Sequence, residues 1–238
     1  MTIDHPLARI TPLVTIAHRA GNSIELAQQA TGAGVDIVEA DLWLHSGRLE
    51  VRHSKTIGPL PLRWDRWWIR LYPPTCLDLE TLLCELDPET TVMLDLKGRN
   101  PDLPGKLLEI CRRVRPDQQI LVCSQTWPML EQLRHEPDVA VIYSIGNRRQ
   151  LARAWTMLEG EGCDAVSIHS DLLNPDSIRK LLARVPAIIT WPINDHARLE
   201  RVRRLGVTGI ISDSLELLDE VRTTMKRPGV QPRLVDAT

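Results

Sequence analysis

Three short segments place histidine, carboxylate and arginine side chains at the ends of apolar runs: Ala17-His18-Arg19, Val38-Glu39-Ala40-Asp41 and Val51-Arg52-His53. A fourth, Val92-Met93-Leu94-Asp95-Leu96-Lys97-Gly98, adds a carboxylate and an amine. Glu39 and Asp41 are two apart, so on a strand both point to one face. Carboxylates held that close repel unless a cation lies between them or one is protonated. With Asp95 from a neighbouring strand they make an oxygen-rich set that suits Mg²⁺, Ca²⁺ or Mn²⁺ better than zinc. Burying a guanidinium without a partner is costly, which places Arg19 at a rim, where it forks a phosphate while His18 transfers a proton. His53 is a second acid–base group. Lys97, two residues from Asp95, faces the same way and neutralises a phosphoryl oxygen. A solitary Glu-x-Asp is commonly a solvated pair, and a solitary histidine after an apolar run is commonly a hydrogen-bonded core residue. The conjunction points instead to a divalent metal, a phosphate and proton transfer.

The elements that must position these residues alternate regularly. Apolar, β-like runs occupy 14–18, 37–41, 91–97, 120–124, 140–144, 165–169, 187–191 and 209–212. Amphipathic helical stretches are predicted at 23–31, 78–86, 103–114, 127–135, 149–159, 175–183, 195–205 and 215–225. Strands alternating with helices imply βαβ units and a parallel sheet, and eight such units predict a closed (β/α)₈ TIM barrel. The dinucleotide fingerprint that would favour an open doubly wound sheet is missing. Asn174-Pro175 reads as a helix cap followed by proline at the first helical position, and Gly34 and Gly206 read as left-handed helix ends. Residues 42–51 read as a β-hairpin extending the second strand. A three-residue turn at 46–48 would set His53 directly opposite Asp41; a two-residue turn would shift the pairing by one.

Residues 1–225 are expected to form a single barrel domain and 226–238 a loosely held tail. No apolar stretch is long enough to span a bilayer, and residues 1–11 lack a signal-peptide core, so the expected compartment is the cytoplasm. Five scattered cysteines without Cys-x-x-Cys spacing read as reduced thiols. A net charge of −2 leaves no footprint for nucleic acid. Trp191 and His169 end predicted strands and are candidate substrate contacts, with rim packing as the plainer reading. The run Arg63-Trp64-Asp65-Arg66-Trp67-Trp68-Ile69-Arg70 is either a lid or apolar wall for a lipid-like substrate, able to touch a membrane surface transiently through 64–68, or a cluster anchoring a long loop. Oligomeric state is not readable.

The sequence resembles the glycerophosphodiester phosphodiesterase family. The resemblance rests on Ala-His18-Arg19, Asn22-Ser23, Glu39-Ala-Asp41, Val-Arg-His53, Asp95-Leu-Lys97, Thr190-Trp191-Pro-Ile-Asn194-Asp195 and Leu205-Gly206-Val-Thr-Gly209-Ile-Ile-Ser-Asp213. It implies a (β/α)₈ barrel that hydrolyses glycerophosphodiesters, or lysophospholipid-like substrates, to glycerol 3-phosphate and an alcohol. By the same resemblance Glu39, Asp41 and Asp95 hold one divalent cation, His18 and His53 act as acid and base, and Arg19 and Lys97 grip the phosphate. The chain departs from the family where Gly21 occupies a glutamate position, where His53-Ser54 replaces His-Asp, and where Asp95-x-Lys97 replaces Glu-x-Lys. The Asp-Leu-Lys form is similar to cyclising phospholipase D-type enzymes, the alternative activity. A non-catalytic barrel that binds phosphorylated ligands is the alternative of another class.

Overall fold

A computed structural model describes residues 13–58, 60–160 and 162–225. The tail expected at 226–238 and the segment 1–11 lie outside the described residues. Eight parallel strands follow one another around a closed barrel: β1 (Val14–Ala17), β2 (Ile37–His45), β7 (Val92–Leu96), β8 (Ile120–Ser124), β9 (Val139–Ile145), β10 (Ala165–His169), β11 (Ala187–Trp191) and β12 (Gly209–Ser212). β12 pairs with β1 and β1 with β2, which closes the ring. Helices α1 (Ile24–Gly32), α2 (Leu79–Glu85), α3 (Leu103–Val114), α4 (Trp127–Leu130), α5 (Arg148–Leu158), α6 (Pro175–Leu182), α7 (His196–Leu205) and α8 (Leu215–Met225) follow the strands in turn. The predicted (β/α)₈ barrel is the fold.

Two apolar populations explain why it closes. Ile16, Ile37, Met93, Leu121, Ile142 and Ile189 are among the residues that fill the barrel interior. Their strand neighbours, such as Val38, Leu94, Val122 and Ile188, point outward and pack beneath the helices. Each strand is therefore buried on both faces, which is why it reads as a continuous apolar run. Helix ends follow the expected chemistry. Asn174 accepts from the Asp176 and Ser177 N–H groups in a capping box ahead of Pro175, and Gly34 (φ 73°) and Gly206 (φ 83°) take left-handed conformations. The helix predicted at 127–135 is shorter. α4 ends at Leu130, and the chain continues in i→i+3 turns, Leu133 N–H to Leu130 O and Glu136 N–H to Leu133 O. Those turns keep Trp127, Leu130 and Leu133, at threefold spacing, buried together.

Between β2 and α2 the chain departs from the alternation. β3 (Arg48–Val51) returns antiparallel along β2, giving the predicted hairpin but with another register. His45 pairs with Arg48 and Leu42 with Val51, so the turn is the two-residue Ser46-Gly47, both with positive φ (47° and 77°). That primed turn matches the strand twist, which a three-residue loop would have to meet with a bulge. Arg52, not His53, therefore lies opposite Asp41, donating its N–H to Asp41 O at 2.9 Å. A small antiparallel sheet follows, β4 (Lys55–Thr56), β5 (Leu62–Asp65) and β6 (Trp68–Leu71), where the sequence suggested only a loop or lid.

Candidate active site

Alternate residues of a strand face the barrel interior, and the apolar interior layers continue upward into polar ones at the strand ends. Ile16 is followed in phase by His18, Ile37 by Glu39 and Asp41, Met93 by Asp95 and Lys97, and Ile189 by Trp191. This end of the ring bounds a cavity of about 490 Å³, lined among others by His18, Arg19, Glu39, His53, Asp95 and Lys97. His169 and Trp191 line it from β10 and β11, across the ring from β2 and β7. A TIM barrel places its reactive groups at this C-terminal face. A cleft of about 570 Å³ elsewhere, beside Cys163, Asp164 and Arg184, holds one carboxylate, and Asp164 is already accepting from Val141 N–H.

Glu39, Asp41 and Asp95 each offer an oxygen within 4.8 Å of the others, as no other group of three His, Cys, Asp or Glu does among the described residues. The register pairs Asp41 with Asp95 directly. Burial, then the charges of Asp41 and Asp95, pushes the Glu39 carboxyl well above its ordinary value. Burial also raises Asp95, with Lys97 opposing and Asp41 reinforcing it. Burial works upward on Asp41 too, but Lys97 and the Asn22 amide outweigh it and hold Asp41 low. Lys97 Nζ lies 2.7 Å from Asp41 Oδ1 and also contacts Asp95 Oδ2. Lys97 is thus ion-paired with two of the three acids at once. Three acids crowded around one lysine fit a hard divalent cation.

Asn22 clamps Asp41 from both sides, its Nδ2 donating to Asp41 Oδ2 (2.7 Å) and its Oδ1 accepting from Asp41 N–H (2.8 Å). Arg19 has φ 55°, a strained conformation for a side-chain-bearing residue, and its N–H donates to Glu39 Oε2 at 2.6 Å. Its Nε, 3.6 Å from Asp41 Oδ2, has no hydrogen-bond partner. A Cβ at Gly21 would meet Ala40 Cβ at 2.7 Å, so the loop carrying His18 and Arg19 packs on β2 too closely for any larger residue. Glu25 does not substitute for the missing family glutamate; it is exposed in the first turn of α1 and accepts from Ser23 Oγ.

The two histidines share one arrangement. His18 Nδ1 donates to Asp213 Oδ1 at 2.6 Å and His53 Nδ1 donates to Asp65 Oδ2 at 2.9 Å. A carboxylate only accepts, so Nδ1 carries the proton and each Nε2 is left to exchange one. The hydrogen bond from His18 brings Asp213 down to about 2, against burial and with help from Asn194. Burial raises Asp65, but the hydrogen bonds from His53 and the Arg66 N–H outweigh it. His53 reaches the cavity despite the altered register because the ladder ends at Val51, while buried Arg52 turns to Glu50 and Ser54 O. Trp191 and His169 meet edge to face at 5.0 Å. Cys123 also lines the cavity, but burial pushes its thiol far above the ordinary value, which removes it as a nucleophile.

The structure thus brings together His18, Arg19, Glu39, Asp41, His53, Asp95, Lys97, His169 and Trp191, whereas Trp64 and Trp67 of the run at 63–70 are exposed. Asp213 and Asp65 were missing from that set as imidazole partners. Counting by twos from Ile211 would have found Asp213; nothing local marks Asp65.

The sequence profile of the Glycerophosphoryl diester phosphodiesterase family matches residues 81–217. The chain belongs to that family. Its members are phosphodiester hydrolases, and the activity the family supports for this barrel is glycerophosphodiester cleavage. The match contains Asp95, Lys97, His169, Trp191 and Asp213. Solved structures share the fold. A candidate glycerophosphoryl diester phosphodiesterase of Silicibacter pomeroyi is 18% identical with a TM-score of 0.73, over 92% of this chain and 97% of that one. The Thermotoga maritima glycerophosphodiester phosphodiesterase is 17% identical with a TM-score of 0.71, over 88% and 98%. An Oleispira antarctica phosphodiesterase, solved with its product sn-glycerol-3-phosphate, is 16% identical with a TM-score of 0.71, over 87% and 96%. No curated protein matches by sequence.

Proposed function

We propose that this chain is a divalent-metal-dependent phosphodiesterase that cleaves glycerophosphodiesters to glycerol 3-phosphate and an alcohol, or lysophospholipid-like diesters to the acylated glycerol phosphate and an alcohol. The observation that carries this reading is one rim on which three carboxylates crowded around a single lysine face two imidazoles, each held at Nδ1 by a carboxylate. Glu39, Asp41 and Asp95 hold one Mg²⁺, Ca²⁺ or Mn²⁺. Bound there, the cation would neutralise non-bridging phosphate oxygens and stabilise the charge that grows on them.

The chain's own groups do the rest. Arg19, whose Nε makes no hydrogen bond within the protein, and Lys97 orient the phosphate. One imidazole takes the proton of the substrate's attacking hydroxyl at Nε2 as that oxygen bonds to phosphorus. The other gives a proton to the departing alcohol oxygen as its bond to phosphorus breaks. Water then opens the cyclic ester with the two roles exchanged, which restores both protonation states. His169 and Trp191 contact the glycerol or headgroup side of the substrate. The five free thiols of the chain suit a reducing compartment, and we place the reaction in the cytoplasm, within a single barrel domain spanning residues 1–225.

The test is product analysis with glycerophosphocholine and lysophosphatidylcholine, in chelator and after adding back each cation. Metal-dependent release of glycerol 3-phosphate from glycerophosphocholine, or of lysophosphatidate from lysophosphatidylcholine, nearly abolished in folded His18→Ala and His53→Ala variants, is expected. Undiminished turnover in chelator or in either variant overturns the mechanism. A cyclic phosphate as the final product replaces hydrolysis with cyclisation.

A further inference from the structure

The small sheet of β4, β5 and β6 has two unlike faces. Its register pairs Leu62 with Leu71 and Trp64 with Ile69, so these four share one face, while Arg63, Asp65, Trp68 and Arg70 share the other. The second face belongs to the site: Asp65 holds His53, and Arg66 in the adjoining turn lines the cavity. The first face looks into solvent. Six large hydrophobic side chains are exposed among the described residues, and all but Leu26 lie here: Leu60 (53%), Trp64 (43%), Trp67 (82%), Ile69 (61%) and Leu71 (74%). A contiguous apolar surface at the mouth of a cavity marks an interaction site rather than scatter.

Charge identifies the partner. Within 55–71 the sheet carries Lys55, Arg63, Arg66 and Arg70 against the single acid Asp65, whose carboxylate is already held by His53 and the Arg66 N–H, whereas the chain as a whole has net charge −2. Three of these cations sit over indoles: Lys55, paired with Trp64 on the solvent face, 5.5 Å from that ring, exposed Arg66 in the turn 4.9 Å from Trp67, and Arg70, of the other face but itself exposed, 4.8 Å from Trp68. Indoles and aliphatic side chains interleaved with basic heads match the headgroup layer of an anionic bilayer, where rings settle at the interface and cations meet phosphates. A second copy of this chain would instead bring the same cations face to face across a two-fold axis.

We infer that the sheet spanning residues 55–71 docks the enzyme on anionic phospholipid surfaces and sets its cavity mouth at the headgroup layer, so that a lysolipid diester enters from the membrane. The delivery step rests on the proposed phosphodiesterase reading; the docking does not. The full chain carrying His18→Ala is sedimented with vesicles of phosphatidylcholine alone and with vesicles containing about one-third phosphatidylglycerol. Binding to the anionic vesicles, weak binding to the neutral ones and a blue shift of tryptophan fluorescence are expected. Trp67→Ser with Ile69→Ser lowers the partition coefficient at least about tenfold. Lys55→Ala with Arg70→Ala lowers it about fivefold for each cation removed. Four results overturn the inference: no binding by the folded chain, equal binding to neutral vesicles, indifference to both double variants, or a dimer that the Trp67→Ser, Ile69→Ser variant dissociates. Soluble glycerophosphocholine separates the two readings in the wild-type chain. Turnover without vesicle binding sinks the dock alone, and vesicle binding without turnover sinks the reaction alone.

Discussion

Replacing Asp213 by asparagine isolates the orienting of His18 from everything else in the site. Asp213 accepts from two donors, His18 Nδ1 at 2.6 Å and Asn194 Nδ2 at 2.7 Å. An amide has one oxygen, so in Asp213→Asn one of these donors must face an NH₂ group. Where that donor is His18, the ring moves its proton to Nε2 and loses the lone pair that would accept a substrate proton. Charge is lost as well. The fall of Asp213 from 3.8 to about 2 corresponds to about 2.5 kcal/mol. With 54% of the Asp213 side chain exposed, solvent screening reduces this to about 1 kcal/mol, or about fivefold in rate. Tautomer and charge together predict a fall in kcat of about 10²-fold with KM little changed. The assay is steady-state release of glycerol 3-phosphate from glycerophosphocholine at saturating metal, with circular dichroism to verify the fold. A kcat within about twofold of wild type would refute the orienting role. The same carboxylate makes a stability prediction. Its folded pKa lies below its ordinary value, so its contribution is present above about pH 4 and is lost as pH falls through about 2. Wild type should therefore lose about 1 kcal/mol across that window that Asp213→Asn does not lose.

Three further outcomes follow from the geometry. Glu39→Gln removes one of three crowded acids, itself buried, so in chelator it should raise Tm by about 2–4 °C while abolishing metal-dependent turnover; a lower Tm would show that the carboxylates do not repel in the metal-free protein. Gly21→Ala forces a methyl to 2.7 Å from Ala40 Cβ and should cost about 1–3 kcal/mol in urea unfolding, while an unchanged midpoint would show that the loop yields. Asp65→Asn and His53→Ala act through one hydrogen bond, so the double variant should be no slower than His53→Ala alone; independent, multiplying losses in kcat would separate Asp65 from His53.

The barrel was legible because its signal is local. Residues 120–124, 165–169, 187–191 and 209–212 were delimited as the structure has them, since strands buried on both faces are apolar throughout and helices interrupt them at regular intervals. His18, Glu39, Asp41, Asp95 and Lys97 were legible for the same reason, being polar residues in phase with an apolar interior. The hairpin register was not. Ser46-Gly47-Arg48 is compatible with two turn lengths, and the choice rests on backbone twist, for which Ser46 must accept a positive φ. The sheet of residues 55–71 was illegible as structure because its strands are two to four residues long and pack one face against distant residues. Only its composition stood out.

That difference divides the site by origin. Asp213 reaches His18 because it stands two residues beyond Ile211 on an interior-facing strand, a position the barrel supplies. Asp65 reaches His53 from an inserted sheet whose opposite face is solvent-exposed tryptophan and aliphatic surface. One imidazole is therefore oriented by the scaffold and the other by the element that borders the cavity mouth. Any partner that orders the inserted sheet also holds Asp65, and through Asp65 the ring of His53. A metal and a phosphate engage groups on rigid strand ends, so their binding should survive loosening of residues 55–71. Proton transfer through His53 should not. A chain cut or loosened in that segment ought to keep its affinity for a metal-bound product while losing kcat, the reverse of what a lid that only shapes the substrate pocket would give.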